Sequence, residues 1–148
     1  MTDDDIISTL NGLITTSKDG ENGYRKAAED VSDPQMRESF LASSQACANA
    51  ARELQDLVRA HGGMPEAGGT LMGAIHRGWV DLRSALSGRD DHAILAEVER
   101  GEEAARQNYA DALRHELPDS VRAVILRQYE GVVRNYERAH TMRETHAH

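Results

Sequence analysis

Residues 17–30 read SKDGENGYRKAAED. The stretch lies within a long helical pattern, yet it carries Gly20 and Gly23 with Glu21 between them. Each glycine costs a helix interior about 0.5–1 kcal/mol against alanine. Apolar residues keep the helical period on both sides: Ile6, Leu10, Leu13 and Ile14 before it, Tyr24 and Ala28 after it. The spacing predicts one helix over 4–31 that runs through the glycines. Glu21 follows Leu10 by eleven residues and Ile14 by seven. At about 100° per residue it falls within roughly 20° of both, so it points along the apolar stripe.

The same period continues outward. Asp33-Pro34 closes this segment and opens the next, with Asp33 as N-cap and Pro34 at the first helical position. A second helix is expected over 34–61, a shorter one over 71–86, and further long ones over 90–116 and 119–143. HGGMPEAGG (61–69), SGRDD (87–91) and Leu117-Pro118-Asp119 are the breaks between them. The long helices would each span roughly 35–40 Å at about 1.5 Å per residue. No alternating strand pattern competes. Short breaks join the first two long helices and the last two, so each pair should be a hairpin. The connection between the hairpins is long and carries the short helix, which Trp79 would pin to the bundle. Two helical hairpins with one long crossover are the ferritin-like arrangement. The expected fold is thus all-α, a ferritin-like four-helix bundle in a single domain over 1–148.

The composition agrees. The chain has 148 residues, 39% of them hydrophobic but only 4% aromatic. Such a core of Leu, Ile, Val, Met and Ala suits close-packed helices better than a sheet. The formal charge is −8, spread along the helices. Without a basic block, nucleic acid and anionic membranes are poor partners. A homo-oligomer, in the simplest case a dimer, is the partner such a bundle admits. The N-terminus, MTDDDIISTL, has neither the basic region nor the apolar run of a signal peptide. One cysteine, Cys47, makes an internal disulfide impossible. The cytoplasm is the expected location.

A weak internal echo sharpens the question raised by Glu21. ERGEEAARQNYADAL, residues 99–113, places Gly101-Glu102 where the first helix has Gly20-Glu21. Glu102 is four residues after Val98 and seven before Tyr109, again on the apolar stripe. Gln128 sits three after Ile125 and four before Val132. In the second helix, Ser44 and Gln45 read as near the core side. Each long helix therefore interrupts its apolar face near mid-length. A buried carboxylate is costly unless it is paired, hydrogen-bonded or metal-bound. Three arrangements fit. One is a di-metal site on Glu21 and Glu102, with Gln45 and Gln128 as polar neighbours. The second is a hydrogen-bonded layer in which Gln45, Gln128, Tyr24 and Tyr109 satisfy the two carboxylates. In the third, both carboxylates reach solvent. A ferritin-like di-iron centre takes one Glu from each of two helices and a Glu-x-x-His from each of the others. The second helix has no such motif. Glu137–His140 provides one in the last helix, but off the core face. Iron or another divalent metal is therefore a candidate cofactor with an incomplete ligand set. The terminal His146 and His148 read as a frayed tail, and Cys47 as a small buried hydrophobe.

Three segments carry a family resemblance: LNGLITTSKDGENGYRKAAEDV, AIHRGWVDLRSALSGRDDHAILAEVERGEEAARQNYADAL and RQYEGVVRNYERAHTMR. Together they resemble a bacterial family of ferritin-like four-helix-bundle proteins of unknown function. The likeness runs from about Leu10 to Arg143, and HRGWVDL…GRDD…ERGE is its most specific part. It implies a rubrerythrin- or ferritin-like fold with a metal-binding ancestry, and a link to stress response through that kinship. It brings no activity. A His is implied where this chain has Tyr136, a departure that speaks against bound metal. Two functions follow as expectations. One is a non-catalytic helical protein with a degenerate metal site and a buried polar layer. The other is a di-iron-type protein in iron handling or oxidative stress.

Overall fold

The computed structural model describes residues 2–66 and 90–145. The short helix expected over 71–86, Trp79 and the terminal histidines lie outside the described residues. Among the described residues the chain forms α1 (Asp3–Asp30), α2 (Pro34–Ala60), α3 (Asp91–Leu113) and α4 (Asp119–Thr145). These are the long helices expected, arranged as two antiparallel hairpins.

Local chemistry sets the ends. Thr2 and Asp5 form a reciprocal capping box at the start of α1, where Asp3, Asp4 and Asp5 meet the positive end of the helix dipole. Asp33 caps α2 by accepting from Gln35 N at 2.8 Å, and Asp90 caps α3 by accepting from His92 N at 2.9 Å. α3 stops at Leu113, three residues short of the expected 116. Two causes act there. Pro118 disfavours helical geometry at the residue before it. Arg122 donates to Leu113 O at 2.8 Å and to His115 O at 3.4 Å, satisfying carbonyls that a longer helix would have used.

The hairpins are tied together at the α1–α2 turn. Asp91 accepts from Ser32 N and Ser32 Oγ at 2.9 Å and from Asp33 N at 3.2 Å. This seats the start of α3 on the α1–α2 turn, so α3 runs antiparallel to α1. Arg37 donates to Ala28 O at 3.0 Å and Val31 O at 2.7 Å, closing the C-terminus of α1. At the other end Gly62 turns the chain with φ +80°, and Asn11 holds the following loop through Met64 O and Glu66 N.

The apolar core has two parts. One, built around Tyr24, Phe40, Ile94 and Val98, fills the end near the α1–α2 turn. The other, built around Leu10, Ile14, Leu54 and Ile125, fills the opposite end. A polar layer separates them. α1 packs closely on α2 and on α3, and α3 on α4, whereas α2 and α4 barely touch. That gap opens a cleft at the height of the polar layer.

Candidate polar site at mid-bundle

The layer starts from small residues. Gly20 is buried, and a Cβ built there would lie 3.0 Å from Cys47 Sγ. The glycine that weakens α1 thus lets α2 come close. Ser44 Oγ donates to Glu21 O at 2.8 Å and fastens the two helices one turn away.

A hydrogen-bonded chain then links all four helices. Ser17 Oγ of α1 lies 3.1 Å from Tyr109 Oη of α3. Tyr109 donates to Gln128 Oε1 of α4 at 2.8 Å. Gln128 Nε2 donates to Glu53 Oε1 of α2 at 2.8 Å and to Ala50 O at 3.3 Å. Arg127 pairs with the other oxygen of Glu53. With the Tyr109 proton committed to Gln128, Ser17 is the donor to Tyr109. Each buried polar atom of this chain therefore has a partner, as a stable interior requires.

Glu102 is placed differently. It is 3% exposed, and Tyr24, itself 2% exposed, hydrogen-bonds to it. Among the described residues its Oε2 has no hydrogen-bond partner. Burial raises its pKa to about 7 against the opposing effects of Tyr24 and of the Arg138 charge. Burial and the nearby Glu102 carboxyl push the Tyr24 hydroxyl well up. Burial raises the Cys47 thiol too, helped by Glu102 and then Glu21, so the thiol stays protonated and unreactive.

The residues singled out from sequence separate here. Glu102 and Gln128 lie in the buried layer. Glu21 is part-buried, its side chain 19% exposed, and pairs with Lys18 at 3.4 Å and Arg25 at 3.1 Å, while its Oε1 is buried without a hydrogen-bond partner among the described residues. Gln45 is not near the core: it is exposed and donates to Asn49 at 3.1 Å. It follows Phe40 by five residues, about 140° around the helix from that core position. His140 pairs with Glu99, which also binds Arg143, while Glu137 is exposed. The Glu53 and Ser17 contributions were not read from sequence. Glu53 lies off the apolar stripe, and only the α2–α4 gap gives it a role.

This donor set does not fit a di-metal centre. Glu21 is charge-paired with Lys18 and Arg25 although its Oε1 makes no hydrogen bond among the described residues, Gln128 is consumed by Tyr109 and Glu53, and Gln45 faces outward. Among the described residues no three His, Cys, Asp or Glu side chains gather as a metal would need.

Residues 5–115 match the family model described as a domain of unknown function, DUF2383. The chain belongs to that family. No curated protein matches it. Among solved structures, a mutant of Dps1 from Mycobacterium smegmatis superposes with a TM-score of 0.80 at 14% identity, covering 95% of each chain. A two-domain protein of Anabaena variabilis with DJ-1/ThiJ/PfpI-like and ferritin-like domains superposes with a TM-score of 0.79 at 14% identity. That match covers 99% of this chain and 38% of the other, so this chain spans well under half of that protein. At this identity the likeness establishes the fold: a ferritin-like four-helix bundle.

Proposed function

We propose that this DUF2383 chain is a non-catalytic ferritin-like bundle. In this reading a hydrogen-bonded polar layer occupies the level at which such bundles build a di-metal centre. The observation that carries the reading is the Ser17–Tyr109–Gln128–Glu53 chain, which spends its polar atoms on one another. The pairing of Glu21 with Lys18 and Arg25 supports it too, because these cations already balance the charge of one of the two carboxylates a degenerate site would retain. The cytoplasm is the proposed location, supported by the lone thiol of Cys47. Among the described residues no helix is long and apolar enough to cross a membrane. A homodimer is the proposed assembly. Twofold pairs are the commonest closed assemblies of soluble chains.

The second reading, iron handling, is favoured by the unpartnered Oε2 of Glu102. Metal analysis after anaerobic loading with ferrous iron separates the two. The proposed function predicts iron at background level. Stoichiometric iron that disappears in Glu102→Ala would overturn it in favour of a metal-handling protein.

A further inference from the structure

The cleft between α2 and α4 offers chemistry that the bundle's own packing does not use. Its volume is about 680 Å³. Glu102 lines it, deeply buried and with Oε2 unpartnered. Rotation about the glutamate's terminal torsion carries both carboxyl oxygens together, so Oε2 reaches the cleft with a matching shift of the Tyr24 hydrogen bond. Ser17 and Tyr109 line the same cleft; their protons are spent within the hydrogen-bonded chain, and each hydroxyl oxygen keeps a lone pair that can accept. Small apolar residues, Ala50, Ala105 and Val132, line it beside the charged side chains of Glu53, Asp56, Arg127 and Arg134, Arg127 being paired with Glu53.

We propose that this cleft binds a small primary alkylammonium compound, its ammonium on Glu102 Oε2 and its alkyl stem along Ala50, Ala105 and Val132. An ammonium brings three donors and no acceptor. One carboxylate oxygen with hydroxyl oxygens beside it matches that pattern, and a short apolar wall matches the stem. Other cations match less well. A divalent metal wants several anionic ligands or N and S donors, which do not gather here. A guanidinium wants both oxygens of a carboxylate in a fork, and Tyr24 holds one of them.

The ligand's charge replaces a proton. Facing Glu102 are Tyr24 from α1, Cys47 from α2, Tyr109 on α3 itself and Arg138 from α4. Burial keeps the two tyrosines and the thiol neutral, and Arg138 is the cation among them. Glu102 binds the ammonium as a carboxylate, so affinity rises with pH until the acid is fully ionised and a proton is released on binding. The inference rests on the reading of Glu102 as an acid not shared with a metal. Iron loading tests that reading and amine titration tests this one, so either can fail alone.

The test is calorimetric titration of the full chain with n-butylammonium chloride, with n-butanol as the uncharged control. Saturable binding is expected, roughly 5–10-fold weaker near pH 6 than near pH 7.5, with no saturable binding of butanol. Glu102→Gln keeps the shape and an oxygen for Tyr24 but loses the charge, and should weaken binding at least about tenfold while remaining folded by circular dichroism. Ala50→Leu obstructs the stem path with Glu102 intact and should also weaken binding. It decides the matter if Glu102→Gln fails to fold. The proposal is overturned by no saturation up to about 10 mM amine, by equal binding of butanol, or by undiminished binding in folded Glu102→Gln or Ala50→Leu.

Discussion

Glu102 concentrates the chemistry of this bundle in one side chain. A carboxyl held in the core at a pKa of about 7, against an ordinary 4.5, binds its proton more tightly in the folded than in the unfolded chain. The sign follows from linkage. Between about pH 4.5 and 7 the folded state holds more protons, so stability is greatest below that window and falls as pH rises through it. The difference corresponds to roughly 3 kcal/mol. Urea unfolding of the wild type and of Glu102→Gln from pH 5 to 8 should therefore converge on the mutant's favour: the wild type loses that amount relative to the mutant as pH rises. A constant difference across the range would mean that Glu102 does not titrate in the core. At this scale the sequence was informative where a residue sat squarely on a stripe. Glu102, flanked by Val98 and Tyr109, went where its phase put it. Glu21 had nearly the same phase, but Lys18 and Arg25 stand three and four residues away on α1 and pair with its carboxylate, leaving it part-buried rather than in the core. Such capture depends on small energies between neighbours rather than on phase.

Two helical glycines show how an element tolerates a weak residue for different reasons. A Cβ at Gly131 in α4 would meet nothing closer than Arg134 Nη2 at 3.6 Å, an ordinary contact. Gly131→Ala should raise stability by about 0.5–1 kcal/mol, the gain in helix propensity, seen as a higher urea midpoint. At Gly20 the same methyl would press on Cys47 Sγ at 3.0 Å. Gly20→Ala should fall short of the gain seen at Gly131 and recover it in a Cys47→Ala background. A double-mutant cycle should show about 0.5–1 kcal/mol of coupling, and additivity would contradict the close approach of α1 and α2. Asp91 acts at the same scale by holding three donors of the α1–α2 turn. Asp91→Ala should cost about 1–2 kcal/mol in the same assay. Helix existence was legible because period and caps agree along each segment. The end of α3 was not, because Arg122, from the next helix, satisfies the carbonyls that decide it.

For the whole molecule, hairpin pairing followed from loop lengths: tight turns after α1 and α3, and one long connection between the hairpins. The unequal spacing of the helices did not. The cleft exists because α2 and α4 stand apart, and their facing residues, Ala50 and Gly131 among them, read simply as small. That spacing gives Glu53 and Arg127 a place in the polar layer and leaves Glu102 beside open space. Glu102 thus stands at the centre of a fold shared with ferritin-like proteins, and what it holds there decides the chemistry of the bundle. Carbon-13 NMR of its side-chain carboxyl, followed from pH 4 to 9 with and without one equivalent of zinc, tests this most directly. The account predicts a midpoint near 7 that zinc does not move. A midpoint in the ordinary carboxylate range, or one driven down by zinc, would contradict it.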